Sequence, residues 1–412
     1  MTSHRRRTLL AGAASAAALL LASSAGGRRR QGDGEGAGTG RTSARDGAAG
    51  TATWYVSTTG SDANVGSISA PFATIRAAAA AVARQAAPGA IVQVAPGTYI
   101  GGFTLTCAGT GSAPILFIST VKWGARIVPP VRNASGLRFG WENRGDFVTI
   151  DGFEFDGTVE SATGLQWNVG VGCYGMGNTV RNCHVHHIAL SDTTPATGGA
   201  GVLMDSWYGR QNMTADANVC HHIGPPTSSQ TTYHGIYQSA AGSISNNVSY
   251  ANSGGGVHCW HDARSIVIVN NTCFNNVYGV IYGGGDYLNL AAPADYITIR
   301  NNLLAHNGIG VHELGDVGTH CVVDYNLCYA NATAYSLNVS RATHNIAGDP
   351  LFVNYQADGS GDYHLKAGSP AIRAGTRLLA PALDLNGATR SLLVDVGAYR
   401  YDPGATGGIG AQ

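Results

Sequence analysis

The sequence predicts an all-β fold, a right-handed parallel β-helix (solenoid) with an N-terminal capping helix. Three observations predict it. Short β-type runs end in Asn and recur with a period in the low twenties. The chain is rich in Gly, at 58 of 412 residues, and only 12% of residues are charged. Helical periodicity is missing between about residues 130 and 335.

The repeat is read by aligning Ser243-Ile244-Ser245-Asn246-Asn247, Val267-Ile268-Val269-Asn270-Asn271, Thr298-Ile299-Arg300-Asn301-Asn302 and Val322-Val323-Asp324-Tyr325-Asn326. The last Asn recurs at spacings of 24, 31 and 24 (247 to 271 to 302 to 326). Five residues further on stand Asn252, Asn276, Asn307 and Asn331. Weaker copies are Val180-Arg181-Asn182 and Ala217-Asn218. One turn of such a coil holds two or three short strands, each paired with its counterpart one rung away at about 4.8 Å. Asn at matching corners can then form a side-chain ladder. The seven extra residues of the 31-residue copy fit a loop bulging near residues 283–293.

The elements follow in chain order. Residues 1–26 have the layout of a secretory signal: a basic start to Arg7, an Ala/Leu-rich run from Thr8 to Ala22, and small residues around Ala25. Arg5-Arg6-Arg7-Thr8-Leu9-Leu10 resembles a twin-arginine signal, with a general secretory signal as its rival. Export places the mature chain in the periplasm or outside the cell, with no membrane attachment after signal removal. Residues 27–53 are Gly, Ala, Ser, Thr and charges, and read as a flexible linker. The coil, with its cap, spans 54–347. Phe72 to Gln85 is Ala-rich and reads as an amphipathic helix over the open N-terminal end, where strand edges would otherwise be unpaired. Residues 348–412 lack the Asn repeat and read as a segment covering the other end.

Charge is balanced at 25 acidic and 25 basic residues, and no basic stripe or motif points to nucleic acid. The expected partner is a polysaccharide, and the expected state a monomer. The eight Cys of an exported chain invite disulfides. The repeat opposes most of them. Two residues after the aligned Asn stand Cys220, Ser249, Cys273, Leu304 and Cys328. Cys on alternate rungs lie about 9–10 Å apart, too far to bridge. They read as buried thiols, while Cys173 with Cys183, or Cys183 with Cys220, stay open as pairs.

Two stretches resemble secreted right-handed parallel β-helix proteins of the pectate-lyase-like superfamily. One is Tyr55-Val56-Ser57-Thr58-Thr59-Gly60-Ser61-Asp62 with Ala70-Pro71-Phe72-Ala73-Thr74-Ile75. The other comprises Gly348-Asp349-Pro350-Leu351-Phe352-Val353, Asp362-Tyr363-His364-Leu365, Gly368-Ser369-Pro370-Ala371-Ile372 and Val396-Gly397-Ala398-Tyr399. The resemblance implies the fold, but that superfamily holds lyases, hydrolases, epimerases and non-enzymes. Some pectate lyases use a Lys base. Only Lys122 and Lys366 occur here, both outside the central repeats. The rungs from Tyr250 to Asn271 are similar to those of alginate C5-epimerases, without their Asp-Pro-His signature. Some pectate lyases bind calcium, and Asp146, Asp151, Glu154 and Asp156 are the acids that could serve it. Their alternation with Ile150, Phe153 and Phe155 reads more simply as one strand with a polar face.

The repeat also stacks residues. Gly201-Val202, Gly235-Ile236, Gly256-Val257, Gly279-Val280 and Gly310-Val311 align. With Val or Ile pointing inward, the next residue points outward, giving a column of Leu203, Tyr237, His258, Ile281 and His312. Two residues further the column reads Asp205, Ser239, Trp260, Gly283 and Leu314. A His beside a Tyr suits proton abstraction at C5 of a uronate, with the proton returned to the leaving oxygen or to the opposite face. A cation such as Arg264 would neutralise the carboxylate. The candidate catalytic set is Tyr237, His258, Arg264, His234 and His312. The candidate substrate-binding set is Asp205, Trp207, Tyr208, Trp260, His261 and Tyr282. A carboxylate pair for glycoside hydrolysis is the alternative chemistry, with Asp205, Asp262, Asp286, Glu313 and Asp316 as its acids. A non-catalytic glycan-binding β-helix is the alternative class. The doublets His186-His187 and His221-His222 read as stacked corner residues rather than as a metal site.

Overall fold

The chain winds through three parallel sheets in a computed structural model that describes residues 52–86, 88–130, 138–158, 167–190, 198–226, 231–404 and 408. The signal expected over 1–26 and nearly all of the linker expected over 27–53 lie outside the described residues. Among the described residues the three sheets contain 11, 10 and 9 strands. Each turn visits them in that order, as in Ile91–Val94, Gly97–Ile100 and Phe103–Leu105. The result is the right-handed parallel β-helix that the repeat predicts.

Alternation sets the core. In the 11-stranded sheet Phe117, Ile150, Val180, Ala215, Ile244 and Ile268 pair in register, rung upon rung. All are fully buried. Burying each large aliphatic side chain stabilises the coil by about 1.5–3 kcal/mol.

The paired Asn have separate roles. Asn246, Asn270 and Asn301 take left-handed backbone at φ 55° and turn the corner, a conformation Asn tolerates better than most residues. The Asn that follows points inward. Its Nδ2 donates to the Oδ1 of the Asn on the next rung: Asn218 to Asn247 at 3.0 Å, then Asn247 to Asn271, Asn271 to Asn302 and Asn302 to Asn326 at 2.9 Å each. A second ladder joins Asn252, Asn276, Asn307 and Asn331 at 2.9–3.1 Å. The Gly that opens each Gly-Val step also has a cause. A Cβ on Gly201, Gly235, Gly256 or Gly279 would stand 2.6–2.8 Å from the carbonyl oxygen of the corresponding Gly one rung on.

The capping helix runs Ile75–Gln85, starting later than Phe72. Phe72 bridges to Val56, and its amide donates to the Tyr55 carbonyl at 2.9 Å, so its backbone is held extended. Thr74 is the N-cap, accepting from the Ala77 amide, and Asp62 accepts from the amides of Ala73 and Thr74. The buried face is Ile75, Ala78, Ala79, Ala81 and Val82.

Residues 348–404 cover the flank of the coil rather than its end. Phe352, Tyr363, Leu365, Val396 and Tyr399 form one cluster with Val248, Tyr250, Phe274 and Leu303 of the 10-stranded sheet. Arg390 donates to Asn246 Oδ1, Asn270 to the Asp395 carbonyl, and Asn301 to the Thr376 carbonyl. All eight Cys are free, six of them buried. Cys220, Ser249, Cys273, Leu304 and Cys328 share one register column, as the repeat predicts. Neither open pairing, Cys173 with Cys183 or Cys183 with Cys220, forms. No described helix is long and apolar enough to cross a membrane.

Candidate functional site

The outer face of the 9-stranded sheet carries the predicted column. Leu203, Tyr237, His258, Ile281 and His312 pair in sequence across five rungs. His234 stands on the same strand as Tyr237, within Tyr233–Gln238. Three of these rings converge. His258 Nδ1 lies 3.0 Å from His234 Nε2. The Tyr237 ring sits edge-on to His258, with centroids 5.5 Å apart, and 5.5 Å from His234.

These groups are buried but not saturated. Tyr237 is 9% exposed, and His234 and His258 are each 4% exposed. The Tyr237 hydroxyl, His258 Nε2 and His234 Nδ1 have no hydrogen-bond partner among the described residues. Buried polar atoms are rarely left so. Burial pushes His258 down to about 3, with His261 and His312 adding to the shift. Burial likewise pushes His234 well below its usual value, with His258 adding. Burial raises the Tyr237 hydroxyl well above its usual value, and Asp205 adds to this. At neutral pH the two imidazoles are uncharged and the phenol is protonated. One imidazole donates to the other in the short contact, which leaves a lone pair on the outer nitrogen of one ring.

Asp205 borders the trio. Its Oδ1 accepts from Ser239 Oγ at 3.0 Å and from the Trp207 amide at 2.9 Å. Burial raises its pKa, and the Ser239 bond pulls the other way. His261 has a left-handed backbone at φ 57°, and its Nδ1 donates to the Asp286 carbonyl at 2.8 Å. Its ring lies 6.2 Å from that of Tyr237. The Trp260 ring lies 6.2 Å from that of His258. It rests where Gly285 and Gly315 have no side chain; a Cβ on either would stand 2.4–2.5 Å from it. Trp207 and Tyr208 are exposed at 58% and 52%. Tyr208 packs edge-on to Tyr174 at 5.7 Å, under the Arg144 guanidinium at 5.9 Å.

The loop of the 31-residue rung closes one side. Asp262 accepts from the amides of Leu288, Asn289 and Leu290, and from Asn289 Nδ2. Asn289 also donates to the Ser206 carbonyl, and Ser206 Oγ to Asp262. Burial pulls the Asp262 pKa up, but this set of donors outweighs it and lowers the pKa.

Three expected members stand apart. Arg264 donates to the Pro293 carbonyl at 3.0 Å, lies 4.0 Å from Asp295, and sits over Tyr296. It precedes the next strand of the 11-stranded sheet, Ile266–Val269, and so turns away from this face. Tyr282 is fully buried inside the coil, donating to Glu313 Oε2 at 3.0 Å. It lies two residues after the inward Val280, so it shares that residue's inward parity. His312 belongs to the column but stacks on Tyr278 at 5.2 Å, with Ile281 between it and His258. The acids considered for calcium have their own partners. Asp151 holds Arg181 and Asn182, Asp156 holds Arg126 and Thr158, and Asp146 holds the Met176 amide.

Sequence reasoning missed Glu142, Arg144 and Tyr174. Glu142 stands in the same outward column, after Thr104 and before Gly172 and Leu203. Arg144 binds it at 2.8 Å. Phe139, Tyr174 and Trp260 pack on an apolar strip of Val169, Ala200, Leu203 and Tyr237. The signal was present: Gly140-Trp141-Glu142 and Gly170-Val171-Gly172 are two earlier copies of the Gly-apolar-outward step.

No family model matches this sequence, and a search of curated proteins finds no match. Solved structures do match. A pectate lyase, Pel9A, is similar at a TM-score of 0.57 and 19% identity, over 85% of this chain and 97% of that one. A rhamnogalacturonan lyase is similar at 0.55 and 15% identity, over 75% and 92%. The chain has the pectate-lyase-like parallel β-helix fold.

Proposed function

We propose that this chain is an exported polysaccharide-active β-helix protein that acts on an acidic, uronate-bearing glycan as a lyase or C5-epimerase. The reading is supported by two lyases among the structural neighbours. The observation that carries it is the His234–His258 contact at 3.0 Å beside Tyr237 on the outer face, with polar atoms of all three rings lacking a partner among the described residues. In this reading His258 takes the C5 proton as base. For elimination, the C4–O bond breaks, a C4–C5 double bond forms, and the leaving oxygen takes a proton from Tyr237. For epimerisation the proton returns to C5 from the other face. Arg144, an exposed cation over Tyr208 that is paired with Glu142, stands four rungs from His258 and would meet a uronate at a neighbouring subsite rather than the one whose proton is taken. Trp207 and Tyr208 offer exposed rings on which sugars stack.

The test is incubation with pectate, alginate and glycosaminoglycans. Elimination gives an unsaturated uronate that absorbs in the ultraviolet, and epimerisation in deuterated water places deuterium at C5. Loss of the general base or acid lowers the rate about 10²–10⁴-fold, so His258→Gln and Tyr237→Phe should each do so. Full activity in both variants would remove the site. Binding without turnover on every uronate would leave a non-catalytic glycan-binding protein.

A second reading has one observation in its favour. Asp205 and Asp262 are pushed in opposite pKa directions, a pattern of acid–base pairs. Hydrolysis by that pair would release reducing ends without the unsaturated chromophore. Its weakness is physical: Asp262 is saturated by the loop it anchors.

A further inference from the structure

The outer face of the 10-stranded sheet holds a second cluster, on a different side of the coil from Tyr237. It stands on three neighbouring strands, Glu154–Asp156, His184–Ile188 and Val219–Ile223. Register places His184 beside Glu154, and His186 between Asp156 and His221. Val185 and Cys220 point inward and are fully buried, so His184, His186 and His221 share the outer face. His187 and His222 turn the corners at φ 56° and 53°.

Imidazole nitrogens and a carboxylate oxygen converge here. His184 Nε2 lies 2.8 Å from His221 Nε2, and His186 Nε2 lies 3.0 Å from Glu154 Oε1. The ligand-capable atoms of Glu154, His184 and His186 all lie within 4.8 Å of one another. A tetrahedral zinc ion with bonds of about 2.0–2.1 Å needs its ligands about 3.3 Å apart, close to the 3.0 Å of the His186–Glu154 pair. The corner residues complete the arrangement. His186 Nδ1 faces His187 Nδ1, and His221 Nδ1 faces His222 Nδ1, each at 2.7 Å. When His186 donates from Nδ1 to His187, its Nε2 carries a lone pair; His221, donating likewise to His222, accepts at Nε2 from His184 Nε2, which leaves the His184 lone pair on Nδ1. That is the outer support ligating imidazoles need. Arg126 pairs with Asp156 and lies 3.9 Å from Glu154, and Asp156 Oδ1 lies 3.6 Å from His186 Nδ1; Glu154 is the acid whose oxygen groups with both His184 and His186.

Two imidazole nitrogens and one carboxylate oxygen suit a borderline transition metal and are poor ligands for calcium or magnesium.

We propose that Glu154, His184 and His186 form a transition-metal site of the Zn²⁺ class, with His187 and His221 as the hydrogen-bonding neighbours that orient the two imidazoles. The ion clamps two successive rungs together. This site is independent of the uronate reading, since no residue is shared.

The experiment uses the full chain without a histidine tag. Zn²⁺ is titrated by calorimetry, and Co²⁺ by its visible spectrum. The expected result is one saturable equivalent, a Co²⁺ spectrum of tetrahedral nitrogen–oxygen type, and a rise in melting temperature with Zn²⁺. Removing an outer-shell partner alone costs about 10–100-fold in affinity, so His186→Ala should cost at least about 100-fold and abolish the melting shift. Glu154→Gln keeps the shape and should cost at least about 10-fold, which guards against misfolding of the Ala variant. His344→Ala, on a distant rung, should bind as the parent does. No saturable binding of Zn²⁺ or Co²⁺, or binding unchanged in both His186→Ala and Glu154→Gln, would overturn the proposal.

Discussion

Replacing Asn271 by Ala removes the centre of a buried ladder. Asn271 is 0% exposed. Its Nδ2 donates to the Ile244 carbonyl and to Asn302 Oδ1, both at 2.9 Å. Its Oδ1 accepts from the amide and from Nδ2 of Asn247, both at 2.9 Å. Alanine takes the side-chain partner from the Asn247 amide and the Ile244 carbonyl, in a corner that water does not reach, while Asn302 Oδ1 keeps the residue-271 amide and Asn247 Nδ2 keeps the Ala215 carbonyl. Each group left unpaired costs about 1–3 kcal/mol, so the loss is about 2 kcal/mol even at the lower end. A typical domain is stable by only about 5–15 kcal/mol. Asn345→Ala is the control. Asn345 also accepts from Asn326, but it lies half-exposed on the last rung of the ladder, where water replaces the lost partners. Its loss should be about 1 kcal/mol or less. Asn271→Asp keeps the shape but turns a carboxylate toward the Ile244 carbonyl, and should be no better than Ala. Urea unfolding followed by tryptophan fluorescence measures all three, with unchanged slope as the check on two-state behaviour. Equal midpoints for Asn271→Ala and Asn345→Ala would refute the ladder as a source of stability.

Other expectations follow from the same geometry. Gly256→Ala places a methyl 2.8 Å from the Gly279 carbonyl oxygen, and overpacking of that kind costs about 1–3 kcal/mol in melting experiments. Tyr282→Phe should lower stability by about 1 kcal/mol and leave turnover unchanged, because its hydroxyl serves the buried Glu313; a loss of turnover would return Tyr282 to the site. His258 gives stability a one-sided pH dependence. Its pKa falls from about 6.5 in the unfolded chain to about 3 on folding. The unfolded chain takes up the proton first, so this contribution is complete above about pH 6.5 and lost as pH falls through about 3. A gap of about 3.5 units at about 1.36 kcal/mol each bounds the effect at about 5 kcal/mol. A melting temperature that is flat between about pH 7 and about pH 4 would contradict it.

The parts of the fold that depend on period were legible in the sequence. Aligning Asn247 with Asn271 fixes the register, and register alone places Tyr237 beside His258 and Cys220 beside Ser249. Parity then separates inward from outward side chains, and the same rule, carried one step further, excludes Tyr282. The parts that depend on irregular backbone were not legible. Arg264 meets Asp295 only because the loop of the 31-residue rung brings 293–296 back beside it. The helix begins at Ile75 because a bridge between Phe72 and Val56 claims the residues before it. The histidine doublets were visible as repeats. Their convergence with Glu154 was not, because it depends on which of three faces each strand presents.

The C-terminal segment has a consequence for how the coil comes apart. A stack of rungs that touch only their neighbours melts like a one-dimensional chain, fraying from an end one unit at a time. Residues 376–398 fasten to Asn246, Asn270 and Asn301, corners of three consecutive turns. Such a splint makes the release of one turn depend on the release of the others. Unfolding of this region should therefore be sharper than its repeating core alone would give, and a cut in the splint should convert a single transition into a graded one.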